Sequence, residues 1–144
     1  MAIVFFVRED SPKNGDKYGW DLKVTRPEDL RPVIEWLADE QQEHVLAITL
    51  DGANQVIASR IVTIGLLNHS LLHPREIFAP AITDRAASVI LVHNHPSGSM
   101  EPSSQDKAIT KQIKDAGEIL GIRLLDHLIL AGDMIVSLRE RGDL

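Results

Sequence analysis

A chain of 144 residues has the size of one ordinary domain and can bury about 68–70% of its unfolded surface, so a core forms without disulfide or cofactor. Its 15 Lys and Arg against 21 Asp and Glu give a net charge of −6, which opposes the broad phosphate neutralisation behind non-specific DNA binding and leaves room only for a local basic patch. The absence of cysteine excludes disulfides, thiolate-ligated zinc, iron–sulfur clusters and thiol nucleophiles, so any metal must take His, Asp or Glu.

The opening "MAIVFFVRED" is a short apolar run without a basic leader and reads as a strand rather than a signal peptide. No run reaches the roughly 18 apolar residues of a membrane span, and a soluble, cytoplasmic protein without membrane partners is expected. Residues 11–19, "SPKNGDKYG", read as a flexible loop, so residues 1–24 form an N-terminal strand and loop ahead of a domain at 25–144. Leu30, Val33, Ile34 and Leu37 recur at helical spacing. Thr25 with Glu28 has the capping-box pattern; a later start with Asp29 as N-cap would put Pro32 in the first turn. "HVLAITLD" and "QVIASRIVTIG" read as two strands of a hairpin turning at Asp51-Gly52. "HPREIFAPAITDRAA" is helix-prone with an interruption expected at Pro80, and "SVILVH" is a strand covered on both faces. A long helix follows from about Ser104 to Leu120, with Ile109, Ile113, Ala116 and Leu120 as its stripe and Gly121 as its stop. "IRLLDHLIL" and "MIVSL" close the chain around Gly132-Asp133. The order predicts an α/β (α+β) single domain, a mixed sheet flanked by helices.

His93 and His95 end the buried strand at a spacing of two, which places both imidazoles on one face with Cα atoms ~6.6 Å apart. Ser103 and Asp106 follow, and a helix starting there brings Asp106 back toward the histidines as a third ligand. Two His and one carboxylate leave a fourth zinc position open, as in catalytic rather than structural sites. Zinc lowers the pKa of bound water to about 7, and the site then needs a proton acceptor and an oxyanion donor. "PSSQD" is also how a helix is capped, and "HPSG" is turn chemistry. Neither explains two histidines at the end of a strand.

The string His93-x-His95-x7-Ser103-x-x-Asp106 resembles the JAMM motif of the JAB/MPN metalloprotease domains at every fixed position. "HPREIF", "HNHPSG", "PSSQD", "LGIRLLDHLIL" and "SLRERG" in this order are similar to RadC-type proteins, a bacterial branch of that superfamily. The resemblance runs from about Arg26 to Leu144 and implies a JAB/MPN-like fold with one Zn2+ on His93, His95 and Asp106. It implies that Ser103 steadies the oxyanion or the zinc-bound water. It also implies a general-base glutamate where the first helix meets the sheet, a junction occupied by Glu43, with Glu76 as second choice. Glu35 and Glu40 are expected to face solvent. His127, beside Asp126, is either a hydrogen-bonded structural histidine or a residue that orients a zinc ligand. His69 and His73 could contact substrate, and His44 would face away from Glu43. Full-length RadC-type proteins usually carry a further N-terminal region resembling a helix-hairpin-helix DNA-binding module, which is not expected within these 144 residues; Gly65-Leu66-Leu67 replaces their common Gly-Thr.

HNH nucleases spread their motif over a ββα unit and do not use the literal tripeptide, and zinc deaminases need Pro-Cys-x-x-Cys. Two readings stand. One is a JAMM-type zinc hydrolase acting on a peptide or protein substrate at a peptide or isopeptide bond. The other is a non-catalytic MPN-like scaffold or DNA-processing accessory that binds a protein or nucleic acid; degenerate MPN domains of that kind lose metal ligands that are all present here.

Overall fold

A computed structural model of the chain describes residues 3–7, 21–65 and 72–144. The flexible loop expected at residues 11–19, together with His69, Leu66 and Leu67, lies outside the described residues. One six-stranded sheet runs in the order β1-β3-β2-β4-β5-β6, with β1 Ile3–Val7, β2 His44–Leu50, β3 Val56–Ile64, β4 Ser88–His95, β5 Arg123–Ala131 and β6 Met134–Ser137. Only β4 and β5 pair in parallel, joined by the crossover helix α3, Ser104–Leu120; the remaining neighbours are antiparallel. The sheet is therefore mixed, with helices on both faces. Among the described residues no helix is long and apolar enough to cross a membrane.

Strand alternation sorts the core into two halves. Leu46, Ile48, Leu50, Ile90 and Val92 face a helical segment at residues 27–39, packing on Leu30, Val33, Ile34 and Leu37. Val45, Ala47, Val89 and Leu91 face α2, Pro74–Thr83, and α3, packing on Ile77, Phe78, Ile109 and Ile113. The hairpin turn forms where expected: the Asp51 carboxylate accepts from the backbone N–H groups of Ala53 and Gln55. β6 follows from the turn at Gly132-Asp133, with Gly132 at φ +60°.

Four local expectations are corrected. The segment at 27–39 is not one continuous helix but a 3-10 turn Pro27–Leu30, a single α turn Arg31–Ile34 (α1) and a 3-10 turn Glu35–Asp39. Pro32 has no N–H to give to Glu28, and that carbonyl accepts from Arg31 one residue earlier. The capping arrangement uses Asp29, neither Glu28 nor an Asp29 N-cap. The Asp29 carboxylate accepts from the backbone N–H groups of Thr25 and Arg26, while Glu28 pairs with Arg31. α2 runs through Pro80 to Thr83, because Ile77, Phe78 and Ala81 anchor its last turns and only one intrahelical bond is lost. In α3 the stripe ends on Gly117 instead of Leu120, which is 47% exposed. A Cβ at Gly117 would lie 2.3 Å from the Ile122 carbonyl oxygen, so glycine permits the close return of the chain into β5.

Candidate metal centre

The centre lies where the carboxyl end of β4 meets the first turn of α3. Parity along β4 sends His93 and His95 to the face that α3 covers, together with Val89 and Leu91. His95, Pro96, Ser97 and Gly98 form a turn closed by the Gly98 N–H on the His95 carbonyl, with Gly98 at φ +80°. Ser103 then N-caps α3: its Oγ accepts from the Asp106 N–H at 3.0 Å, and its own N–H donates to the Asp106 carboxylate at 2.7 Å. The capping-box reading of "PSSQD" is therefore correct. That same box aims Asp106, 2% exposed, at the two imidazoles.

His93 Nε2 and His95 Nε2 stand 2.9 Å apart, and Asp106 presents one oxygen to each, at 3.2 and 3.3 Å. These spacings are close to the ~3.4 Å edge of a tetrahedron with zinc–ligand bonds of 2.0–2.2 Å. Hydrogen bonds behind the rings decide which nitrogens carry protons. The Thr110 hydroxyl donates to the Asp106 carbonyl at 2.6 Å, so toward His127 Nδ1, also at 2.6 Å, it can only accept. His127 Nδ1 therefore bears the proton. Complete burial, reinforced by the adjacent His93, holds the His127 imidazole far below its ordinary pKa, so the ring is neutral and its Nε2 is a lone pair. His93 Nδ1, 2.7 Å away, must donate to it, which leaves His93 Nε2 as a lone pair in the neutral ring. His95 Nδ1 faces the Ser99 carbonyl at 2.8 Å, which only accepts, so His95 Nε2 takes the same role.

With both rings neutral, two lone pairs and a carboxylate thus converge on one gap. Such a gap favours a cation. Hydrogen bonding to Asp106 raises the His95 pKa despite the opposing effect of burial. Burial pushes the Asp106 carboxyl up, but the hydrogen bonds it takes from His93 and His95 when those rings are protonated override it and hold the group well below the ordinary carboxylate range. His93, His95 and Asp106 offer donor atoms all within 4.8 Å of one another, and the chemistry of this donor set fits a divalent ion of borderline softness such as zinc.

A cleft of about 340 Å³ opens beside these groups, lined by Glu43, His95, Ser97, Ser103 and Asp106 among others. Glu43 is half-buried immediately before β2 and on this cleft; Glu76 lies in the first turn of α2, pairs with Arg75 and does not line it. Ser103 is exposed on the cleft and caps with its oxygen, so its hydroxyl proton is not spent in that bond. His73 caps α2 by accepting from the Arg75 N–H. His44 packs edge-on against Trp36, with Nδ1 on the Gln42 carbonyl and Nε2 3.8 Å from Glu40, and it lines no part of the cleft. Glu35 is exposed.

Thr110 and Ser99, which fix the ring protons, carry no signal in the sequence. His127 reaches His93 only because of a bulge. Val89 pairs with Leu124 and Ile90 with Asp126, leaving Leu125 over and reversing the alternation beyond it. His127 and Leu124 consequently share the α3 face, whereas Asp126 turns to the other face and accepts from Ser137 and from the Arg139 N–H.

Residues 24–143 match the family model described as a RadC-like JAB domain. A UPF0758 protein of Methanospirillum hungatei is 54% identical over 123 residues, covering 84% of this chain and 55% of the relative. A UPF0758 protein of Clostridium kluyveri is 45% identical over 136 residues, 94% of this chain and 58% of the relative, and one of a Geobacillus species is 48% identical over 126 residues, 87% and 56%. The chain therefore spans little more than half the length of these relatives. The fold, the match across residues 24–143 and the identity to these proteins agree, and the chain belongs to the RadC-like JAB domain family.

Proposed function

We propose that His93, His95 and Asp106 hold a zinc ion and that the domain hydrolyses a peptide or isopeptide bond in a peptide or protein substrate. The observation that carries this reading is the convergence of His93 Nε2, His95 Nε2 and the buried Asp106 carboxylate on one gap, with both Nδ1 atoms already engaged by His127 and the Ser99 carbonyl. Bound zinc supplies a Lewis acid and, at neutral pH, hydroxide for attack on a carbonyl. Glu43, across the cleft, takes the proton of the attacking water and hands it to the leaving amine. Ser103 donates its hydroxyl proton to the oxygen that becomes negative.

Zinc-loaded Glu43→Gln is expected to keep its metal and to lose at least about 100-fold in turnover of fluorogenic peptides carrying α- or ε-linked amide bonds. Full activity in that variant would remove Glu43 as the base. A wild-type protein that holds zinc, cleaves none of these bonds and captures a partner regardless of chelator would favour the scaffold reading.

A further inference from the structure

The middle residue of His93-Asn94-His95 has no part in the metal centre. Parity sends its side chain to the opposite face of the sheet, with Ile90 and Val92, where it is 2% exposed. There Asn94 Oδ1 accepts from the His44 backbone N–H at 2.7 Å, and Nδ2 donates to the Gln42 carbonyl at 3.0 Å. One partner can only donate and the other only accept, so the amide has a single orientation. The two bonded groups belong to the residues on either side of Glu43. The Glu43 carbonyl itself accepts from the Gly65 N–H at 2.7 Å, and His44 Nδ1 adds a second bond to the Gln42 carbonyl at 2.9 Å. Val45 opposite His93 is the last rung of the β2–β4 ladder, so the Asn94 side chain takes over where backbone pairing stops.

We propose that Asn94 is a positioning residue for Glu43: its amide brackets the backbone of that residue from both sides and so sets where the carboxylate stands relative to His93 and His95. Three consecutive residues then fix both the ligand pair, on one face, and the base, from the other. A buried asparagine that merely finishes a strand would contribute to stability and leave the chemistry of the centre unchanged. The inference rests on the reading of Glu43 as the base of a metal centre, and the experiment separates the two.

Cobalt(II) is the probe, loaded in place of zinc, with its visible absorption band followed across pH as a report on ionisation at the open coordination position. Glu43→Gln is expected to move the midpoint of that change by about one pH unit, as removal of a neighbouring charge does. Asn94→Ala is expected to move it in the same direction, and Glu43→Gln with Asn94→Ala together no further than Glu43→Gln alone. Asn94→Leu has a similar shape and no charge, loses both bonds and should shift the midpoint likewise; it carries the test if the alanine variant does not fold. Wild-type midpoints in both Asn94 variants, or a double variant that shifts further than Glu43→Gln, would overturn the proposal. A wild-type protein that takes up no cobalt would instead bring down the metal reading, and a Glu43→Gln midpoint equal to wild type would bring down the base, the proposal falling with either.

Discussion

His127→Ala is expected to weaken zinc binding about 10–100-fold in competition with a chelator, although His127 touches no metal. The reason is the direction of the relay. His93 presents Nε2 because its Nδ1 proton is taken by His127 Nε2, and His127 accepts there because its own proton is given to Thr110. With His127 removed, the His93 ring loses the partner that selects its tautomer, and His93 is completely buried, so water cannot readily substitute. His127→Phe fills the space without restoring the acceptor and should be as poor as alanine. Unchanged affinity in both variants would show that the relay does not set the ligand.

The second large effect is on stability and lies away from the centre. The Asp84 carboxylate, at the end of α2, receives both terminal nitrogens of Arg60, at 2.6 and 2.8 Å, and the Thr49 hydroxyl at 2.8 Å. Both members of the pair are buried. Asp84→Ala takes the two-bond carboxylate away from a buried guanidinium, a loss of about 3–5 kcal/mol, against a total of roughly 5–15 kcal/mol for an ordinary domain. The urea midpoint should fall accordingly. Replacing both partners, Arg60→Met with Asp84→Leu, should cost much less, because both charges leave the interior together. A single variant no less stable than the double would contradict this account of how α2 is tied to β2 and β3.

Much of the sheet was legible because its strands obey simple periodicities. β4 is a continuous apolar run and is buried along its length except at His95; the β2–β3 hairpin announces itself at Asp51-Gly52; α3 begins at a capping box and stops at Gly121 in the left-handed region. The His93, His95 and Asp106 cluster was legible for a related reason. A spacing of two on a strand, followed by a capped helix, fixes directions as well as distances. What escaped was set by tertiary contacts. No residue type marks Leu125 as a bulge, and unbroken alternation would send His127 to the wrong face. Pro80 looks like a helix breaker, but the buried anchors of α2 outweigh one missing bond. Gly117 reads as a gap in a stripe until the return of Ile122 is seen to need it. Asn94 is one letter of a conspicuous motif, yet its partners are fifty and fifty-two positions away, a separation no local pattern encodes.

His93, His95 and Asp106 are proposed to form a metal centre. The most direct test is the metal content of purified wild-type protein beside His95→Ala, by elemental mass spectrometry without added zinc, with circular dichroism confirming that the variant is folded. About one zinc per chain in the wild type and none in the variant is the expected result, since two protein ligands of a four-coordinate site do not retain the ion. No metal in either protein, even after zinc is offered, would mean that the converging lone pairs serve another purpose and would contradict the account.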